Sequence, residues 1–357
     1  MFQEIMSVKN RFFCRVFSPM LAFLLFLQTA SAQKKTDTVP NPLSGIEAIV
    51  KQQSKTMGKE VVVMVNQGGK NLYTLQSPEF NPRTPTPIAD ASMWLTAAVV
   101  LMYVDEGKIG LDDKVSKYIP EFNRYFKGYI TIRHCLSHLT GVEAEATGVM
   151  KVAQKNRFED LATEVQHLLS KREIVTNTGE AFHYSQVGMN IAARVVEVVA
   201  KRTFDRAAVE KLFRPLGMRQ TNFFDEKGGV NPSMGATSSG LDFMNFMTML
   251  LDTGMYKGKR ILSKKSVELM LSPSFKDLPV RYAPPMAKSW AYGMGAWLED
   301  GGNGKPGMAT APGTNGFWPW IDLNRRYAAL VVPQKEPSEL KPDFYRSIRE
   351  EIEAQIR

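Results

Sequence analysis

The 357-residue chain has only two cysteines, Cys14 and Cys135. If Cys14 leaves with an N-terminal leader, Cys135 has no internal partner, and a disulfide scaffold is excluded. No polybasic run and no nucleic-acid motif occurs, so nothing in the sequence points to nucleic acid. Internal repeats and low-complexity segments are missing too. Beyond the leader no apolar run approaches the ~20 residues of a membrane span. Stability must then come from a core, and a chain that is 44% hydrophobic can build a large one.

The first 32 residues carry Lys9, Arg11 and Arg15 ahead of the apolar run Met20 to Leu27, followed by Ala30-Ser31-Ala32. That is the pattern of a secretory signal peptide cleaved after Ala32, with secretion or the periplasm as destination. A short transmembrane anchor is the competing reading, but Met20 to Leu27 is far below the ~20 residues a span needs. No cysteine follows the cleavage site to carry a lipid. Losing Lys9, Arg11, Arg15 and Glu4 takes the net charge from +9 to +7. A mildly basic, solvated surface is the plain reading, and affinity for anionic envelope polymers or membrane surfaces is the functional one. Residues 33–42 read as a polar linker, and residues 43–357 as one large domain or two intertwined layers.

Strand patterns sit at the two ends of this domain. Leu43 to Met57 has apolar residues at helical spacing, and Glu60 to Val65 and Asn71 to Leu75 read as a hairpin turning at Gln67-Gly68-Gly69-Lys70. Tyr292 to Trp297, Phe317 to Ile321 and Tyr327 to Val332 read as further strands, and Asp343 to Ile356 as a closing amphipathic helix. Between them, helices are expected at Phe158 to Leu169 and Met189 to Ala200, within a mostly helical region of about 97–271. That arrangement predicts an α+β fold.

The chain is organised around Ile88-Ala89-Asp90-Ala91-Ser92-Met93-Trp94-Leu95-Thr96-Ala97. Pro82, Pro85 and Pro87 keep the approach extended, Asp90 suits an N-cap, and Leu95, Ala98, Val99, Met102 and Tyr103 recur at helical spacing before Gly107. This text, with Val104-Asp105-Glu106-Gly107-Lys108 after it, resembles the nucleophile helix of serine β-lactamases and penicillin-binding proteins, specifically the class C β-lactamase and D-alanyl-D-alanine carboxypeptidase branch. Ile109 to Pro120, Ile130 to Val142, Leu212 to Thr221 and Gly235 to Asp242 are similar to the same family. The resemblance implies a β-lactamase/transpeptidase-like fold, an antiparallel sheet flanked by terminal helices with an inserted helical region.

In that family the helix begins Ser-x-x-Lys, and the lysine takes the serine proton for attack on a carbonyl. In the same register this sequence has Asp90 in the serine slot and Met93 in the lysine slot. Moving the frame to Ser92 leaves Leu95 as the base, so no frame restores the pair. The family's second motif, Y-x-N, reads Tyr184-Ser185-Gln186. Tyr184 is then a retained proton relay, or a phenol that only packs in the cleft. The third motif falls at Ala311-Pro312-Gly313, where alanine offers neither charge nor donor to a substrate carboxylate. The resemblance assigns the two oxyanion-hole donors to the amides of Asp90 and Thr314. His134 and His138, four apart on a helix, form a possible metal pair by spacing. The family has both as packing and hydrogen-bonding residues, and no third ligand lies near.

These substitutions lead to the expectation of an exported, catalytically inactive relative. It would need no cofactor and no metal, and would bind cell-wall peptide, a small carbonyl ligand or a protein partner at Asp90, Tyr184, Gln186, Ala311, Gly313 and Thr314. The competing expectation is a hydrolase of an ester or amide with rebuilt chemistry, Asp90 serving as base and Tyr184 as acid. A scaffold with no cleft ligand is the third. As a cap that also accepts a bond from Tyr184, Asp90 is expected to have a lowered pKa.

Overall fold

A computed structural model describes residues 43–144, 158, 160–224, 229–302 and 304–356. The expected leader and linker, 1–42, lie outside these. Helix α1 (Gly45–Gln52) ends at Gln53, and a further helical turn follows at Ser54–Met57. The hairpin forms as β1 (Val61–Gln67) and β2 (Lys70–Leu75). The central helix is α2 (Ser92–Asp105), with α3 (Val187–Ala200) and α4 (Gly240–Leu251) packed around it and the sheet. Strands β3 (Ala291–Tyr292), β4 (Trp297–Asp300), β5 (Pro306–Thr310), β6 (Trp318–Asp322) and β7 (Tyr327–Pro333) follow, and α5 (Pro342–Gln355) closes the chain.

The seven strands make one antiparallel sheet in the order β2-β1-β7-β6-β5-β4-β3. The first and last strands of the sequence pattern thus lie side by side within it, Val61 opposite Pro333 and Val65 opposite Ala329. Both faces are covered, as the apolar runs of β1 and β7 require. Val61, Val63 and Val65 face the layer of α1 and α5, which buries Ile46, Phe344, Tyr345, Ile348 and Ile352. Val62 and Met64, on the other face, join the core of the helical body. The period of two in a strand divides alternate residues between these layers.

Two expectations of strand placement need correction. Tyr292 to Trp297 is not one strand: Gly293 N–H donates to the Ala296 carbonyl at 2.9 Å, and Gly295 has φ +94°, so the segment is the tight turn between β3 and β4. Strand β5 has little signature in the sequence, because Pro306 and Gly307 are poor strand signals. Helix α2 buries every residue from Ser92 to Tyr103, not only the spaced apolar positions, as befits a helix enclosed on every side. The middle of the chain also contributes short strands, among them Phe182–His183 parallel to Val280–Tyr282. Among the described residues no helix is long and apolar enough to cross a membrane.

Candidate functional site

Asp90 does not cap the central helix. Ala89–Ala91 form a 3-10 turn that runs directly into α2; Ala91 holds the N-cap position with helical dihedrals, and no side chain caps the helix. A capping residue needs extended backbone just outside the first turn, and Asp90 lies inside a turn already. Ala89 before it has φ +46°, a left-handed conformation that is costly for a residue with a Cβ.

The carboxylate instead meets the loop between β5 and β6. Thr314 N–H donates to Asp90 Oδ2 at 3.0 Å. Gly313 makes the approach possible, because a Cβ there would lie 2.7 Å from the Ile88 carbonyl oxygen. Asn315 fastens the loop by donating its side-chain amide to the Pro87 carbonyl at 2.6 Å. From the opposite side Tyr184 Oη donates to Asp90 Oδ1 at 3.4 Å.

Asp90 is 8% exposed. Burial raises its carboxyl above the ordinary range, and the hydrogen bonds from Thr314, its own amide and Tyr184 offset this only in part. The lowered value expected for a cap is therefore corrected in direction. The Tyr184 phenol is pushed well above its usual value by burial and by the nearby Asp90 charge.

Tyr184 stands on an aromatic floor of His138, Tyr292 and Trp297, with ring centroids 4.7, 5.8 and 5.0 Å away. His138 is buried and ties the floor together. Ser185 N–H donates to its Nδ1 at 3.4 Å, which leaves the ring proton on Nε2, 2.9 Å from Tyr292 Oη. Burial depresses the His138 pKa to about 3, so the ring is neutral. His134 is occupied separately, its Nδ1 accepting the Thr131 N–H at 3.3 Å in a capping box. Among the described residues no His, Cys, Asp and Glu cluster fit for a metal occurs.

The remaining sequence candidates divide. Met93 is 1% exposed within the core. Ser92 is buried and accepts the Ala236 N–H at 3.0 Å, so its hydroxyl is a packing group. Gln186 accepts through Oε1 from Ser233 Oγ at 3.2 Å. Ala311 is buried just past the end of β5 and offers no polar side-chain atom. The structure thus brings Tyr184 and Thr314 each into contact with Asp90, and Gly313 lets the Thr314 loop approach Ile88. Sequence reasoning missed Tyr292, Trp297 and Ser233, and the aromatic pair flanking Gly293 to Ala296 was the one available signal.

A family model described as Beta-lactamase matches residues 46–350. The chain belongs to the beta-lactamase family. Among curated relatives, Protein flp of Staphylococcus aureus (strain NCTC 8325 / PS 47) is 27% identical over 164 residues, covering 45% of this chain and 32% of that protein. Beta-lactamase-like protein 2 of Dictyostelium discoideum is 24% identical over 279 residues, covering 67% and 49%. The chain thus spans a third to a half of these relatives. Among solved structures, a beta-lactamase candidate from Bacteroides dorei DSM 17855 aligns with TM-score 0.77 and 24% identity over 88% of this chain and 97% of that one. EstCE1, described as a hydrolase with promiscuous acyltransferase activity, aligns with TM-score 0.71 and 17% identity over 87% and 97%. At these identities the likeness is one of fold.

Proposed function

We propose that this is an exported member of the beta-lactamase family that has lost serine acyl transfer and acts by binding, with cell-wall peptide or a protein partner as occupant of the cleft. The observation carrying the reading is the 3.0 Å bond from Thr314 N–H to Asp90 Oδ2. In the family register that N–H belongs to the pair that receives a substrate's carbonyl oxygen. A carboxylate now fills it, and its charge repels the oxyanion that acyl transfer must develop. The Met93 thioether cannot accept a proton, so the base is missing as well as the nucleophile.

The test is the intact mass of the mature protein after incubation with a penicillin or a fluorophosphonate. No increment is expected, and an increment equal to the reagent overturns the proposal. Export rests on the leader pattern and is checked by N-terminal sequencing of secreted protein, which should begin at Gln33.

A second reading, a hydrolase using Asp90 as base and Tyr184 as acid, is favoured by the convergence of the two groups and by the raised Asp90 carboxyl. It requires turnover of a small ester that disappears in Asp90→Asn.

A further inference from the structure

We infer that the recess between helix α5 and strands β4 to β6 is a binding site for a neutral saccharide. The inference stands apart from the reading of Asp90, since neither Asp90 nor its partners Tyr184 and Thr314 line this recess.

The recess has a volume of about 540 Å³, within the ~300–1,000 Å³ of small-molecule sites. Trp290, Trp318 and Trp320, three of the five tryptophans in the chain, line it. Trp318 is stacked on Tyr345 of α5, with ring centroids 4.0 Å apart and 26° between the planes, so one wall is fixed before any ligand arrives. Trp290, from the segment before β3, is half-buried and leaves part of its indole free for contact.

The indole N–H groups distinguish this recess from an ordinary apolar pocket. Trp320 donates to Tyr327 Oη at 3.2 Å. Trp290 and Trp318 have no hydrogen-bond partner for theirs among the described residues, although Trp318 is only 6% exposed. Unlike the Trp94 Nε1 sealed in the core, neither is cut off from solvent. A hydrocarbon in the recess would strip water from both donors and give nothing back, whereas a hydroxyl oxygen accepts from them.

Charge narrows the class further. Four charged residues line the recess, and they pair with one another: Arg349 Nη1 with Glu299 at 2.8 Å and Arg346 Nη1 with Asp343 at 3.1 Å. No lining charge is left over for an ionic ligand, and an ion of either sign would meet groups of its own sign. Both pairs can still bond a neutral hydroxyl, because a guanidinium and a carboxylate each have more hydrogen-bonding positions than one ion pair uses. A sugar ring combines the matching features: a C–H face for the aromatic side chains, hydroxyls that both donate and accept, and no net charge.

The probes are cellobiose, maltose and N,N′-diacetylchitobiose, each titrated into the protein at low and at high salt while the indole N–H resonances are followed by NMR. At least one disaccharide is expected to bind saturably, shifting the Trp290 and Trp318 resonances and leaving that of Trp94 in place. Its affinity should be the same at both salt concentrations, because no ion pair forms. Trp290→Ala should weaken binding at least about tenfold, the scale of a truncated aromatic anchor, and Trp290→Phe by less. No saturable shift from any of the three sugars overturns the inference. So does a shift that spares Trp290 and Trp318, an affinity that falls steeply with salt, or full-strength binding in Trp290→Ala. The titrations of wild-type protein decide the matter even where Trp290→Ala folds poorly. Failure here removes this site alone, whereas a penicillin adduct removes the proposed function and leaves this site standing.

Discussion

Asp322 and Asp90 are buried to nearly the same degree, 5% and 8% exposed, yet they sit in opposite electrostatic settings. Asp322, in the turn from β6 to β7, accepts the N–H groups of Asn324 at 2.8 Å and Arg325 at 2.6 Å and pairs with the Arg325 guanidinium at 3.1 Å. Asp90 has hydrogen bonds from Thr314, its own amide and a distant phenol, and among the described residues no cation pairs with it. Burial is therefore not what separates a structural carboxylate from a functional candidate. The partner set does, because a compensated charge holds a turn together while an uncompensated one is retained at a cost to stability.

The largest effect expected on this contrast comes from the floor of the cleft. His138 is held neutral, with a folded pKa of about 3 against 6.5 in the unfolded chain. The unfolded state then binds more protons between those values, so the contribution is full above 6.5 and lost as pH falls toward 3. Stability from urea unfolding should rise between pH 5 and 6.5, where most carboxylates have finished titrating, as part of a total on the order of several kcal/mol. His138→Gln should flatten that rise. An unchanged slope would mean the buried imidazole is not its source.

Next in size is the turn. Asp322→Ala strands two backbone donors and a guanidinium and should cost about 3 kcal/mol at neutral pH, with little change in the cleft. A loss under about 1 kcal/mol would erase the distinction drawn between the two carboxylates.

Asp90→Asn should act in the other direction. The folded pKa of Asp90 lies above its unfolded value, so its contribution is present below the unfolded pKa and lost as pH rises through the folded one. At pH 7 the charge is a net burden, and asparagine should stabilise by on the order of 1 kcal/mol, the scale of an ordinary point substitution. The gain should shrink at acid pH. A destabilised variant at pH 7, measured by thermal melts at both pH values, would show that the Thr314 bond outweighs desolvation.

These contrasts also mark what the sequence could disclose. The hairpin of β1 and β2, strand β7 and helix α5 were legible because each has a regular apolar period and long-range pairing did not have to be guessed. The order of motifs along the chain pointed to Asp90, Tyr184 and Thr314, which come from stretches with recognisable text and which the structure brings together around the Asp90 carboxylate. What the sequence hid depends on geometry between distant residues. Asp90 read as a cap because Asp before an apolar helical run is usually one, and only the 3-10 turn redirects its carboxylate to a residue 224 positions later. The bond from His138 to Tyr292 spans 154 residues and leaves no local signature. Gly295 turned an expected strand into a corner, its φ of +94° open to glycine but not to the pattern of its neighbours.

Tyr184→Phe is the smallest change and separates the two functional readings most cleanly. Its hydroxyl reaches Asp90 at 3.4 Å, long enough that the bond contributes little, and the ring stays on His138, Tyr292 and Trp297 without it. Removing the oxygen should cost about 0.5 kcal/mol in stability, at the low end for a hydrogen bond. A site that only binds then keeps its shape, because the Asp90 bond to Thr314 and the aromatic packing of the phenylalanine ring are both retained. A hydrolase that draws its proton from this phenol behaves differently, losing turnover by about a hundredfold or more while folding almost unchanged. Ester turnover and thermal stability measured on the same Tyr184→Phe protein therefore decide the matter: a collapse of turnover with intact stability would make the Asp90 and Tyr184 pair catalytic machinery and end the reading of the cleft as a binding site.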